Sequence, residues 1–257
     1  MIRNPSSPAN TRRLESSPRY GLARVMSKLG VCSRSQAEQW IRAGRVVVDG
    51  QIVRDPQHPT QLERQRIDVD GVSIQASAKV YVAMNKPRGL IVSAADERGR
   101  DTVYAGLAAA GLPWLGPVGR LDKASEGLLL LSNDTEWAAG ITDPKTHLEK
   151  TYHVQIAGHP DEECLKAMQA GVVDSEDFLK VRHATLLRSG EKNAWLEIVL
   201  DEGRNRHIRR LLAAFGFDVL RLIRVSIGPL SLGELAKGQW RQLSNEEVSA
   251  LAAPRTN

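Results

Sequence analysis

Aromatic residues make up only 5% of this 257-residue chain, so aliphatic side chains must fill its core. Cysteine is scarcer still: Cys32 and Cys164 are the two present, and neither sits in metal-ligand spacing. They fall in segments that read as different domains, which argues against a disulfide framework and points to a reducing, cytoplasmic compartment. No uninterrupted apolar run reaches the length needed to cross a bilayer, so no membrane span is expected. Neither charge sign dominates: 35 Lys and Arg stand against 30 Asp and Glu, a net of +5. Such an excess bears on nucleic-acid binding only through where it is concentrated. The balance of 42% hydrophobic and 25% charged residues is that of an ordinary globular protein.

Residues 1–19 are rich in Pro, Ser, Asn and Arg, with Arg3, Arg12, Arg13 and Arg19 opposed by Glu15 alone. They read as a disordered basic tail that adds weak affinity for a polyanion. An organelle transit peptide is the second reading of so acid-poor a segment. The segment lacks the apolar core of a secretory signal.

Leu22, Val25, Met26 and Leu29 recur as one face of an amphipathic helix that Gly30 ends. Ser35 with Glu38 fits a capping box opening a second helix, with Ala37, Trp40 and Ile41 inward. Segments 45–53 and 66–74 each read as two strands around an Asp-Gly turn. This order of helix, helix and short strands defines a small domain over 20–74, followed by a linker at 75–79. A larger domain is expected over 80–245. Its strands are placed at 80–84, 128–131, 152–156 and 194–200, its helices at 101–110, 162–169 and 205–215, and a C-terminal tail at 246–257. Strands that do not alternate regularly with helices indicate an α+β fold with a mixed or antiparallel sheet.

Charge in the small domain is clustered. Between positions 24 and 54, Arg24, Lys28, Arg34, Arg42, Arg45 and Arg54 outnumber Glu38 and Asp49. Two short helices can gather these into one basic face toward a phosphate backbone, although for any one of these residues a solvated helix face is the safer reading. Segments 22–50, containing Leu29-Gly30-Val31-Cys32-Ser33-Arg34-Ser35-Gln36-Ala37 and Gly44-Arg45-Val46-Val47-Val48-Asp49-Gly50, resemble the small RNA-binding domain first known in ribosomal small-subunit protein four. That resemblance implies RNA binding and no particular reaction.

In the larger domain, Pro117-Val118-Gly119-Arg120-Leu121-Asp122 places a carboxylate just before Glu126-Gly127 and the apolar run Leu128–Leu131. By itself such an aspartate caps a turn. A second feature is the run from Arg204 to Leu211, where Ile208, Leu211, Leu212 and Phe215 form an apolar helical stripe. Arg206, Arg209 and Arg210 are left on flanking faces. Arg120, Arg204, Arg221 and Arg224 add charge that either solubilises the surface or lines a cleft for phosphates. Asp161, Glu162 and Glu163 suit a helix N-terminus and need no function. Glu126 is the only carboxylate close in sequence to Asp122, so the paired acids of a glycoside hydrolase are not evident.

Four segments in order resemble the motifs of pseudouridine synthases: Asn85-Lys86-Pro87-Arg88-Gly89, Gly119-Arg120-Leu121-Asp122, Lys150-Thr151-Tyr152-His153-Val154, and the arginine segment from Glu202 to Leu211. With the RNA-binding domain in front, the chain resembles the synthases that modify single uridines in ribosomal RNA. The detailed form of Asp122–Gly127 and Arg204-Asn205-Arg206 leans toward the large-subunit branch. The resemblance implies that Asp122 is the catalytic carboxylate, Tyr152 the active-site tyrosine, and Arg209 the arginine held against the aspartate. Arg210 is the neighbouring candidate, which spacing does not separate. His207 stands where many relatives have glutamine and is read as structural.

Arg24, Lys28, Arg34, Arg42, Arg45, Arg120, Arg204, Arg206 and Arg210 are the expected RNA contacts. An isomerisation needs no cofactor and no metal, and a monomer in the cytoplasm is expected, with ribosomal RNA as partner. A non-catalytic RNA-binding or ribosome-assembly protein is the principal alternative, and a base-releasing N-glycosidase a further one.

Overall fold

A computed structural model describes residues 19–61, 64–93 and 100–252. The tail expected over 1–19 therefore lies, apart from Arg19, outside the described residues. The chain divides into two compact units. One comprises the residues up to Leu29 together with Arg34–Gln75, and the other Gly30–Ser33 together with the residues from Ala76 onward.

In the smaller unit the apolar stripe forms the helix Leu22–Lys28, with Leu22, Val25 and Met26 fully buried. The second helix spans Arg34–Arg42 and buries Ala37 and Ile41, while Trp40 stays half-buried. It begins one residue before Ser35, so the expected capping serine lies inside the first turn. Strands Val46–Val48, Gln51–Ile52, Ile67–Val69 and Val72–Ser73 form an antiparallel sheet. Each Asp-Gly turn has both central residues at positive φ: 49° and 83° at Asp49 and Gly50, 50° and 80° at Asp70 and Gly71. This is the mirror-image turn whose twist matches that of its flanking strands.

The larger unit is built on a sheet of nine strands among the described residues. Across its main path run His183–Ser189, Asn193–Leu200, Lys150–Ala157, Val219–Ile227, Glu126–Ser132, Tyr81–Lys86 and Trp240–Gln242. Neighbours are antiparallel except at one junction, where Val219–Ile227 runs parallel to Glu126–Ser132. Every residue of Glu126–Ser132 is buried, which explains its unbroken apolar reading: both faces are covered. One core packs Val154, Ile156, Leu196 and Ile198 against Ile208, Leu211 and Leu212 of the helix His207–Ala214.

Several expectations need correction. Segment 101–110 forms a 3₁₀ helix over Val103–Leu107, its first turn capped by Thr102. The arginine helix starts at His207, because Arg206 takes a left-handed conformation at φ 49°. The expected C-terminal tail contains a helix, Asn245–Ala252, whose Leu251 is buried in a cluster with Trp137. The end of the expected linker is anchored: Lys79 pairs with Asp134 at 2.8 Å, and Asn133 Nδ2 donates to the Ala78 carbonyl at 2.8 Å. Among the described residues, no helix is long and apolar enough to cross a membrane.

Candidate active site

The loop carrying Asp122 leaves the short strand Gly116–Val118 through Gly119, at φ 76°, and returns into Glu126–Ser132. Leu121 is buried, Asp122 half-buried and Arg120 exposed, so the loop is pinned on one side and open on the other. Ser125 N–H donates to the Asp122 carbonyl at 3.0 Å and closes the turn.

Lys86 holds this loop from below. It ends the strand Tyr81–Lys86 and is fully buried. Its ammonium donates to the carbonyl oxygens of Ser125 at 2.8 Å, Pro87 at 3.1 Å and Asp122 at 3.2 Å. Burial lowers its pKa to about 8, against the opposing pull of the Glu126 and Asp122 carboxylates. Gly89 N–H adds a bond to the Lys123 carbonyl at 2.8 Å. The Asn85–Gly89 segment is thus a clamp on the aspartate loop.

Glu126 anchors the loop's far end. It is 4% exposed and accepts two bonds from Arg221, both at 3.1 Å, and one from Lys237 at 2.7 Å. Burial alone would raise its pKa; the bonds from Arg221 and Lys237 outweigh that and lower it. The next residue, Gly127, has φ 99°, and a Cβ built on it would meet the Arg224 carbonyl oxygen at 2.2 Å. Only glycine lets the two strands approach so closely at their parallel junction.

Asp122 and Tyr152 line one cavity of about 240 Å³, together with Arg120, Arg204, Arg206, His207 and Arg224. Tyr152 lies on Lys150–Ala157, half-buried and directly opposite Arg224 in the antiparallel pairing. The cavity therefore combines the Asp122 carboxylate and one phenol with a rim where Lys150 and the arginines stand beside Asp201 and Glu202.

The arginine expected against the aspartate acts differently. Arg209 Nη2 donates to the Ala124 carbonyl at 3.2 Å, and Nη1 to the Val219 carbonyl at 3.4 Å. It grips the backbone two residues beyond Asp122, in place of the expected hold on the aspartate itself. Its pKa is lowered by burial first, then by Arg206 and Arg88, with Asp122 opposing. Arg210 is committed elsewhere: Nε binds Asp174 at 2.6 Å and Nη1 binds Asp177 at 2.7 Å. These bonds fasten the helix to the hairpin Val172–Leu179 and remove Arg210 both as the aspartate's partner and as a free phosphate contact. Arg204 also binds Asp177, at 2.5 Å, though it remains exposed at the cavity. His207 is buried and its Nε2 bonds the Lys180 carbonyl at 2.9 Å, the structural part expected of it.

In the smaller unit, Arg24 and Lys28 both lie over the Tyr20 ring, at 4.8 and 4.2 Å from its centre. Arg34 and Arg42 are exposed, and Arg42 pairs with Glu38 at 3.5 Å. Arg45 is engaged by Asp70 through both carboxylate oxygens and covers Trp40. Its charge is compensated within the domain, unlike the uniform basic face expected.

Lys86, behind the aspartate loop, and Arg224, in the cavity wall, are the groups whose individual placement the sequence reading missed. A common signal marks both. Lys86 shares strand parity with buried Val82 and Met84, and Arg224 with buried Leu222. A cation in the buried register of a strand is costly unless it has work to do.

An α+β unit with one aspartate loop at a basic cavity, accompanied by a small helix-and-hairpin domain, defines an RNA-modifying enzyme when set beside known proteins. Residues 80–214 match the family described as RNA pseudouridylate synthase, and residues 21–65 match the S4 domain. An RNA pseudouridine synthase of Aquifex aeolicus is 38% identical, covering 89% of this chain and 92% of its own length. The ribosomal large subunit pseudouridine synthase B of Bacillus subtilis is 35% identical, covering 90% of this chain and 95% of its own. A crystal structure of a pseudouridylate synthase superposes with a TM-score of 0.62 at 30% identity, covering 91% of this chain and 100% of that one. The chain belongs to the RNA pseudouridylate synthase family, and it is an enzyme whose partner is RNA.

Proposed function

We propose that the protein converts one uridine of ribosomal RNA, in the large subunit, to pseudouridine, with Asp122 as catalytic carboxylate. The observation that carries the reading is the cavity shared by Asp122, Tyr152 and the arginines at 120, 204 and 206. The similarity to the Bacillus subtilis large-subunit enzyme supports the choice of RNA.

The reaction breaks the bond between uracil N1 and ribose C1′, turns the base and joins C5 to C1′. Positive charge builds at C1′ as the bond breaks. A carboxylate against that carbon stabilises the charge, attacks it, or removes the neighbouring proton. Tyr152 offers a ring face to the everted base and a phenol for the proton that C5 loses. Arg209 positions Asp122 through the Ala124 carbonyl. Arg120, Arg204 and Arg206 meet the flanking phosphates and offset the cost of unstacking the nucleotide, about a few kcal/mol. Arg24, Lys28, Arg34 and Arg42 of the small domain give the RNA a second hold. The two domains span residues 20–74 and 76–252, and the monomer works in the cytoplasm without metal or cofactor, since the reaction neither oxidises nor transfers a group from outside.

Incubation with ribosomal RNA tritiated at uracil C5 tests the proposal. Stoichiometric tritium release with the base retained in the RNA is the expected result. No release from any ribosomal RNA leaves a binding protein, and free uracil in the supernatant makes it a glycosidase. Comparing pseudouridine maps from cells with and without the protein locates the site.

A further inference from the structure

One charge in the cavity has no part in the chemistry given so far to the aspartate and the tyrosine. Arg224 is 5% exposed and lines the same cavity as Asp122 and Tyr152. It stands between the two catalytic strands: opposite Tyr152 in the antiparallel pairing and opposite Gly127 in the parallel one. Its Nε donates to the Leu128 carbonyl at 2.7 Å, while its Nη2 is buried without a hydrogen-bond partner among the described residues. The carboxylate nearest in register, Glu126, is taken by Arg221 and Lys237. A buried guanidinium with unused donors is expensive to maintain unless a negative charge completes it.

The reaction supplies such a charge. When the C1′–N1 bond breaks, its electron pair leaves with the base, whichever role Asp122 takes at the sugar. Uracil becomes an anion with charge spread over O2 and O4. We infer that Arg224 is a further catalytic residue, which receives this charge by hydrogen-bonding a carbonyl oxygen of the detached base. This inference rests on the pseudouridine synthase reading above.

The balance of the step is closed. The pair that left with the base returns as the new C5–C1′ bond, displacing Asp122 from C1′ or accompanied by return of any sugar proton it took; the proton on C5 is then lost to a base, and N1 takes one up. The geometry of the turn adds a reason for a fixed donor. A half-rotation about the line through N3 and C6 exchanges N1 with C5 and O2 with O4. One stationary guanidinium therefore meets a carbonyl oxygen before and after the ring turns, and holds the anion in the cavity between.

The test uses single-turnover cleavage of the uridine glycosidic bond by the full chain, with uridine or 5-fluorouridine at the target position. Fluorine stabilises the departing anion, so it substitutes in part for the arginine. Arg224→Gln is expected to slow the uridine reaction about a hundredfold or more, with RNA affinity unchanged. Its defect on 5-fluorouridine should be at least about tenfold smaller. Arg224→Lys, which keeps the charge, should fall between. The ratio of the two substrates within one preparation is independent of the folded fraction.

Equal slowing on both substrates assigns Arg224 a structural part and overturns the inference. So does a loss of RNA affinity with normal cleavage, which marks a phosphate contact. A wild type that makes no pseudouridine fails the underlying reading, whereas an active wild type matched by Arg224→Gln fails this inference alone.

Discussion

The ammonium of Lys86 donates to the backbone carbonyl of Asp122 at 3.2 Å. The aspartate is thereby held through its main chain, and its side chain is left to the cavity. A carboxylate positioned this way does not spend its charge on its own support.

Replacing Lys86 with Met should therefore damage the site without touching its chemistry. Three carbonyl oxygens lose their donor at once. The expected loss is about 2–4 kcal/mol of stability, read by urea unfolding, with a fall in turnover.

The same lysine gives a pH dependence with a definite sign. Its folded pKa is about 8, below the ordinary 10.5. Between these values the folded protein has released the proton that the unfolded chain retains, so this group makes stability rise with pH across that window. The neutral amine also donates two hydrogen bonds instead of three. Turnover should decline above pH about 8, and Lys86→Arg, which does not titrate there, should lack that limb. An unchanged profile in the arginine variant would place the limb elsewhere.

Asp122→Asn keeps the shape of the side chain and removes its charge. Turnover should fall about a thousandfold or more with RNA affinity nearly intact, measured by tritium release and by filter binding. Full activity would refute the assignment.

Glu126→Gln leaves Arg221 and Lys237 without their shared carboxylate. Because both cations are about half exposed, the expected loss is about 1–3 kcal/mol at neutral pH. The folded pKa of Glu126 is lowered, so its contribution is present above the unfolded value of 4.5 and disappears as pH falls through the folded one. Wild type and variant should converge in acid-unfolding curves at the low-pH end.

Gly127→Ala asks a side chain to occupy the space of the Arg224 carbonyl, at a positive φ. The parallel junction must open to admit it. A loss of about 3 kcal/mol or more is expected in thermal unfolding, accompanied by weaker catalysis, since Asp122 lies five residues upstream. Wild-type stability would show that the junction yields freely.

Much of the architecture was legible where local pattern and tertiary packing agree. The stripe of Leu22, Val25 and Met26 is buried as its spacing predicts, and both Asp-Gly turns adopt the conformation their residues favour. The helix Thr135–Thr142 was missed, although Asp134 caps it by accepting from the amides of Glu136 and Trp137. Its short length left too little periodicity to register. The strand His183–Ser189 was missed because it lies at the sheet edge and is mostly exposed, without an apolar alternation. Of the site residues, Asp122, Tyr152 and Arg209 could be named from the resemblance of their segments. What each arginine binds could not. The bond from Arg209 to Ala124 spans 85 positions and that from Arg224 to Leu128 spans 96, so both depend on tertiary packing that no local pattern records.

The parallel junction of Val219–Ile227 with Glu126–Ser132 carries a consequence for how the enzyme matures. Asp122 and Arg120 enter on the loop before Glu126–Ser132, whereas Tyr152, Arg204, Arg206 and Arg224 enter further along the chain, and they meet only after that long-range seam has zipped. Pairings of such sequence separation form late and slowly. A nascent chain halted before the strand Val219–Ile227 has every upstream motif in place and still lacks a finished cavity, so catalytic competence arrives in one step, once that strand has been made, instead of accumulating along the way.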